Sequence, residues 1–287
     1  MKILLFPNFK KNNALNCALA VCDILKNFEI DVCVEEKFAA EFATKPFVLL
    51  GNAELLLKSC DIIIVIGGDG TILKCARLFG YAKIPILGIN SGRLGFMSAV
   101  ESNELGILEK LKTGDYSLEK RMMLDITHIS DGKATSFTAL NDLVIARHYH
   151  KISDFVVSVD NAVVGNPRAD GLVFSTPTGS TAYSLSAGGP IIEPDIECIE
   201  FTPICSHSLF SRTVLFSADK IIEVRHDNPN DTEVYFCVDG ADSMAFAVGD
   251  KLNITKSNFC INLINFKNNN FYDSINKKLM QSIKGIG

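Results

Sequence analysis

The 287-residue chain has no tryptophan and no closely spaced cysteine pair; its nine cysteines, at 17, 22, 33, 60, 75, 198, 205, 237 and 260, contain no C-x-x-C. Thiolate zinc sites bring their ligands in close pairs, so this spacing argues against structural zinc. An odd set of scattered cysteines reads as reduced, mostly buried thiols in a reducing compartment. No stretch reaches the ~18 apolar residues that a membrane-spanning helix needs. The apolar start is stopped at Pro7 and is too short for the core of a secretion signal. A soluble, cytoplasmic protein is expected, with no membrane partner. Excess positive charge is missing too. The chain has 28 Lys and Arg against 33 Asp and Glu, so no basic face for nucleic acid is implied. There is neither a G-x-x-x-x-G-K-[ST] loop nor a G-x-G-x-x-G turn. That disfavours Walker-type nucleotide binding and a standard dinucleotide dehydrogenase.

What is present is a folded composition, 47% hydrophobic and 21% charged, long enough to bury a core without staples. The first third alternates strand and helix patterns. Strands are expected at 2–6, 31–34, 61–66 and 85–89. Helices are expected at 13–28, 53–58 and 71–79. The run 61–66 is apolar on both faces, as a central parallel strand should be. Near residue 117 the texture changes to short alternating runs at 118–129, 135–146, 155–159, 172–175, 221–226, 234–238 and 251–255, separated by turn residues. One helix, starting near Ser180, interrupts them. The expected organisation is an α/β, Rossmann-like parallel-sheet domain over 1–117 and a β-rich domain over 118–266. A segment 267–287, helical over 270–283, is expected to pack back on the first domain.

Four segments carry chemistry. Gly67-Gly68-Asp69-Gly70-Thr71 joins the buried strand to a helix. Glycines let backbone N–H groups approach an anion, and the helix dipole favours it there. A carboxylate among them repels phosphate unless it accepts a proton from an attacking hydroxyl. The plainer reading is a tight turn with a capping Asp. Asn90 to Met97 follows the next strand, at the same end of a parallel sheet; Arg93 could meet phosphate and Phe96 a ring, or the segment could be a surface turn over a core Phe. Asn141-Asp142 interrupts an apolar run, where buried polar groups need partners such as a ribose diol and an adenine edge. The alternative is a solvated strand start. Finally, 170–190 runs from a strand into a Thr-Pro-Thr-Gly-Ser-Thr loop and a small-residue helix, crowding hydroxyls and N–H groups at a helix entry. Ser180 does not sit in a G-x-S-x-G elbow. His207, flanked by serines, has no located Asp partner and reads as structural.

Together these segments, with Thr202-Pro203-Ile204-Cys205-Ser206-His207-Ser208-Leu209, resemble the bacterial NAD kinase family, in family order from about 61 to 216. The glycine turn alone is shared with diacylglycerol kinases and, loosely, phosphofructokinases; the 170–190 stretch is specific. The resemblance implies transfer of the terminal phosphoryl of ATP, or of polyphosphate in some members, to the 2′-hydroxyl of the adenosine ribose of NAD. It implies a divalent cation, usually Mg²⁺, and a homodimer or homotetramer. By resemblance Asp69 is the general base. Gly67, Gly68, Gly70, Thr71 and Arg93 would hold phosphates. Asp69, Gly70, Lys74, Phe96, Asn141, Asp142, Arg168, Asp170, Thr181, Ala182, Tyr183, Ser184, Leu185 and Ser186 would contact NAD. No residue is assigned to metal. Two positions depart from the family: Asp142 stands where many members have Glu, and Ala241 where many have Gln. The rival readings are a lipid kinase sharing the glycine turn, a non-catalytic dinucleotide sensor, and a structural protein.

Overall fold

The computed structural model describes all residues except 93–94, 148–151, 208–211, 229–232, 267–270, 273 and 277–287. The chain divides into two compact units, Met1–Lys120 with Ile261–Gly287, and Arg121–Cys260.

In the first unit β1 (Lys2–Pro7), β2 (Asp31–Glu35), β3 (Leu49–Gly51), β4 (Ile62–Gly67) and β5 (Ile86–Asn90) form a parallel sheet in the order β3-β2-β1-β4-β5. β6 (Val100–Glu101) pairs with the end of β5. Helices α1 (Ala14–Asn27), α2 (Ala53–Leu57), α3 (Asp69–Phe79) and α4 (Glu109–Thr113) supply the other layers. β1 and β4 are buried along almost their whole length, which explains why their sequences are apolar without alternation. α1 buries Ala14, Cys17, Ala18, Val21, Cys22 and Leu25, one stripe at helical spacing, against Ile3, Leu5, Val32 and Ile64. α3 begins at Asp69, two residues before the expected start at 71. Gly68 is its N-cap, so Asp69 lies in the first turn, where a negative charge is favoured by the dipole.

The second unit is antiparallel. β7 (Ser117–Ser130) and β8 (Lys133–Ala139) form a hairpin through the left-handed Asp131-Gly132 turn. β9 (Asp142–Arg147) follows; β10 (Ser153–Asp154) pairs with β13 (Arg168–Ala169); β11 (Val156–Val159) pairs with β12 (Ala162–Gly165). A six-stranded sheet runs β16-β15-β14-β9-β18-β19, where β14 is Gly171–Ser175, β15 Cys198–Ile204, β16 Val214–Ser217, β18 Val234–Val238 and β19 Met244–Ala245. β17 (Ile222–Arg225) pairs with β11 on one side and with the start of β20 (Lys251–Asn265) on the other. Alternate residues of these strands, among them Leu143, Ile145, Leu172, Phe174, Phe236, Val157, Val224 and Leu252, share one apolar cluster.

Other sequence expectations change too, the strand expected at 251–255 running on to Asn265 as β20. The run expected at 135–146 is two strands, because the backbone at Leu140–Asp142 bends to meet the Asp239 carboxylate. The strands β15 and β16 were not expected, since Glu200, Thr202 and Pro203 spoil the apolar pattern. The helix starting near Ser180 is a 3₁₀ turn, Gly179–Thr181, then a single α turn, α5 (Tyr183–Ser186); Ala182, at φ −100° and ψ −120°, breaks the two apart. The helix expected at 270–283 falls largely outside the described residues. All nine cysteines are free thiols and six are buried. Among the described residues no helix is long and apolar enough to cross a membrane.

Candidate functional site

In the first unit, the turn after β4 and the turn after β5 start side by side, since Gly67 pairs with Asn90. β1 also ends at this edge, with Pro7 paired to Ile66. The strand order reverses at β1, between β2 and β4, and crevices outside the carboxyl ends at such a reversal are where open α/β sheets bind ligands. A cavity of about 520 Å³ lies there. Phe6, Pro7, Asn8, Phe9 and Lys10 line it from the end of β1, Lys37 and Phe38 from the turn after β2, and Thr71 and Lys74 from α3. Three lysines and three phenylalanine rings suit it to a phosphorylated ligand with a flat ring, and Glu41 sets one carboxylate in the same lining.

Asp69 opens α3, the helix whose Thr71 and Lys74 line that cavity. Its Oδ2 accepts the backbone N–H of Phe96 at 2.8 Å, and its Oδ1 accepts that of Met97 at 3.1 Å. The glycine turn and the segment after β5, separate in sequence, are therefore one structure. Around Gly68 and Gly70 the space where a Cβ would stand is open. Asn90 is buried and bridges to Glu101 and to the backbone of Gly92. Phe96 is half-buried and Lys74 exposed. Arg93 lies outside the described residues.

In the second unit, Asp142 opens β9 opposite Ser175, and Ser175 lies opposite Glu200 on β15. Directly opposite residues of antiparallel strands share a face. Asp142, Ser175 and Glu200 thus form a buried polar row across three strands. Asp239, just past β18, extends it. Its Oδ2 accepts from Leu140 N at 2.8 Å, and its Oδ1 from Asn141 N at 2.7 Å and Asp142 N at 3.1 Å. Burial, then the charges of Asp239 and Glu200, push the Asp142 carboxyl up to about 7. The Asn141 side-chain oxygen is buried without a hydrogen-bond partner. An unpaired buried acceptor is costly, and a ligand amino group would satisfy it.

The α5 turn presents Tyr183 and Ser186 outward and Ser184 inward; Tyr183 is exposed and Ser184 fully buried. Thr181, Ala182 and Leu185 are half-buried. Asp170 is half-buried, and exposed Arg168 pairs with Asp154 at 3.6 Å. Ser180 is buried and spends its hydroxyl on Pro177 O at 2.7 Å and Ile192 N at 3.0 Å, a framework role rather than a nucleophile's. The backbone N–H of His207 donates to Arg168 O at 3.0 Å. Sequence reasoning missed Asp239 and Glu200 as site-building residues. The available signals were a lone Glu inside a strand-like run and an Asp-Gly turn at the end of another.

Two family models match successive stretches of the chain. The model described as ATP-NAD kinase N-terminal domain matches residues 3–116, and that described as ATP-NAD kinase C-terminal domain matches 140–266. A protein named NAD kinase from Natranaerobius thermophilus is 37% identical over 96% of this chain and 96% of its own length. One of the same name from Caldanaerobacter subterraneus subsp. tengcongensis is 38% identical over 98% of this chain and 99% of its own. Among solved structures, yeast NADH kinase complexed with NADH aligns with a TM-score of 0.90 at 24% identity, covering 97% of this chain and 87% of that one, a likeness of fold. An NAD kinase from Archaeoglobus fulgidus in complex with ATP aligns with a TM-score of 0.71 at 25% identity, covering 96% of this chain and 97% of that one. With both halves matched, and relatives alike over almost its full length, this chain belongs to the NAD kinase family.

Proposed function

We propose that the chain transfers the terminal phosphoryl group of ATP to the 2′-hydroxyl of the adenosine ribose of NAD, giving NADP and ADP. The observation that carries this is the Asp69 carboxylate, fixed at the first turn of α3 by the backbone N–H groups of Phe96 and Met97, beside an open glycine turn. Asp69 accepts the proton of the attacking hydroxyl. Gly67, Gly68, Gly70 and Thr71, with Arg93, hold phosphate. Phosphoryl transfer runs through a loose transition state, so positioning and charge neutralisation carry most of the catalysis. In the second unit the orphaned Asn141 oxygen suits the adenine amino group, and Asp142 the ribose hydroxyls. Tyr183 offers an exposed ring for stacking, and Arg168, Asp170 and the 181–186 turn complete the NAD contacts. Phe96 and Lys74 belong to the same set.

The lysine-lined cavity at the end of β1 is the proposed entry for ATP, its phosphates toward Thr71 and its base toward Phe9 and Phe38. Among the described residues no group of three His, Cys, Asp or Glu side chains is placed to hold a metal ion. The described residues therefore do not form a resident metal cage. The divalent cation is proposed to arrive with ATP, since Mg²⁺ commonly binds through substrate phosphates and retained waters. A homodimer or homotetramer in the cytoplasm completes the reading. It rests on the family resemblance and, for the compartment, on the free thiols.

The test is NADP formation by purified protein from NAD, ATP and Mg²⁺, beside Asp69→Asn. NADP from the wild type and little from the variant supports both the reaction and the base. NADP only with polyphosphate would replace the donor. NAD binding without turnover on either donor would leave a sensor.

A further inference from the structure

Glu200 is fully buried in the middle of β15, and hydroxyl groups converge on it. Ser175 Oγ donates to Glu200 Oε2 at 2.5 Å, and Thr202 Oγ1 donates to Oε1 at 3.3 Å. Thr202 Oγ1 also lies 2.9 Å from Ser184 Oγ and 3.0 Å from Thr213 Oγ1. Burial pushes the Glu200 carboxyl up, while the hydroxyls of Ser175, Ser184 and Thr202 pull against it. The loop that ends α5 closes over the same group. Gly189 N donates to Ser184 O at 2.9 Å, and a Cβ at Gly189 would stand 2.3 Å from both Glu200 Oε1 and Ser184 Oγ.

α5 has a single turn, too short to hold itself in water. Its one fully buried side chain is Ser184, and that hydroxyl is tied through Thr202 to Glu200. Tyr183 and Ser186, facing outward on the same turn, take their positions from this anchor. Glu200 also shares its register row with Ser175 and Asp142. One buried carboxyl thus braces two segments that the proposed function gives to NAD, while its own atoms are covered by protein.

We propose that Glu200 is a positioning residue for NAD: acting through Ser175, Thr202 and Ser184, it fixes the 181–186 turn and the Asp142 strand end in their ligand-holding geometry. The inference rests on the proposed NAD kinase reading. It makes Glu200 a determinant of NAD affinity and leaves ATP to the other unit.

The experiment compares wild type, Glu200→Gln and Glu200→Val, with steady-state KM for NAD and for ATP, kcat, and thermal melting. Gln keeps the shape and can still accept from Ser175, so its NAD KM should stay within about threefold of wild type. Val suits a strand but makes no such bonds; its NAD KM should rise by about tenfold or more, with ATP KM within about twofold. An unchanged NAD KM in folded Glu200→Val overturns the proposal, as does an equal rise in both KM values, which marks a merely structural role. If Glu200→Val does not fold, Thr202→Val removes the hydroxyl that links Glu200 to Ser184, at a residue outside the NAD contacts, and is judged by the same two KM values. Wild type that forms no NADP would instead strike the underlying reading. NAD affinity of the same variants by titration calorimetry would then still decide the positioning role.

Discussion

Asp69 and Gly95 share a space that admits no side chain: a Cβ at position 95 would stand 2.1 Å from Asp69 Oδ1. The glycine lets the following N–H groups reach the carboxylate. Gly95→Ala should therefore displace Asp69 and lower kcat by about tenfold or more, with the melting temperature only modestly reduced. Unchanged kcat would mean that the orientation of Asp69 is not needed.

Asp69→Asn tests the base more directly. The side chain keeps its size but no longer takes up the hydroxyl proton and can accept only one of the Phe96 and Met97 N–H groups, so kcat should fall by about 10²–10⁴-fold. NAD affinity, measured by titration, should change little. Near-normal turnover would remove Asp69 from the chemistry.

The Asp142 carboxyl supplies a pH dependence. Unfolded, it ionises near its ordinary 3.8; folded, it keeps its proton up to about 7. The protonated form is thus favoured by folding. That contribution is present below about pH 4 and is lost as pH rises toward 7. Asp142→Asn has no such proton to lose. Its melting temperature relative to wild type should climb by several degrees between pH 4.5 and pH 8. A difference that does not vary with pH would show that Asp142 titrates normally.

Asp239 accepts three backbone N–H groups from Leu140, Asn141 and Asp142. Asp239→Ala strands them, at a cost of about 1–3 kcal/mol for each donor left buried and unpaired. Melting should fall by about 5 °C or more and the NAD KM should rise. An unaltered NAD KM would separate this turn from NAD binding.

Lys10 and Lys37 line the cavity at the end of β1. Replacing both with Ala should raise the ATP KM several-fold and leave the NAD KM alone, with the effect shrinking at high salt. A rise in the NAD KM only would reassign the cavity.

Much of the first unit was legible because β1 and β4 are buried on both faces and α1 carries a clean stripe; local pattern and tertiary role agree there. The glycine turn was legible for the same reason, lying between an unambiguous strand and helix. β15 was not, because its Glu200 and Thr202 are paired only by residues distant in sequence, and a buried carboxyl looks like a surface one until Ser175 is placed beside it. The Asp69 contact with Phe96 and Met97 was hidden likewise, since nothing local ties 69 to 96. α5 was overread: small residues at 180–186 permit a helix, but the backbone at Ala182 leaves it.

The return of the chain through β20 bears on how the protein is made. Leu263 pairs with Ile86 at the side of β5 away from β4, yet it emerges from the ribosome more than 170 residues after its partner. Until then Ile86 has an open sheet edge, the kind that recruits stray strands. The first unit to begin folding is therefore the last to be finished, and synthesis that stops short of residue 261 leaves behind a glycine turn on an unsealed sheet.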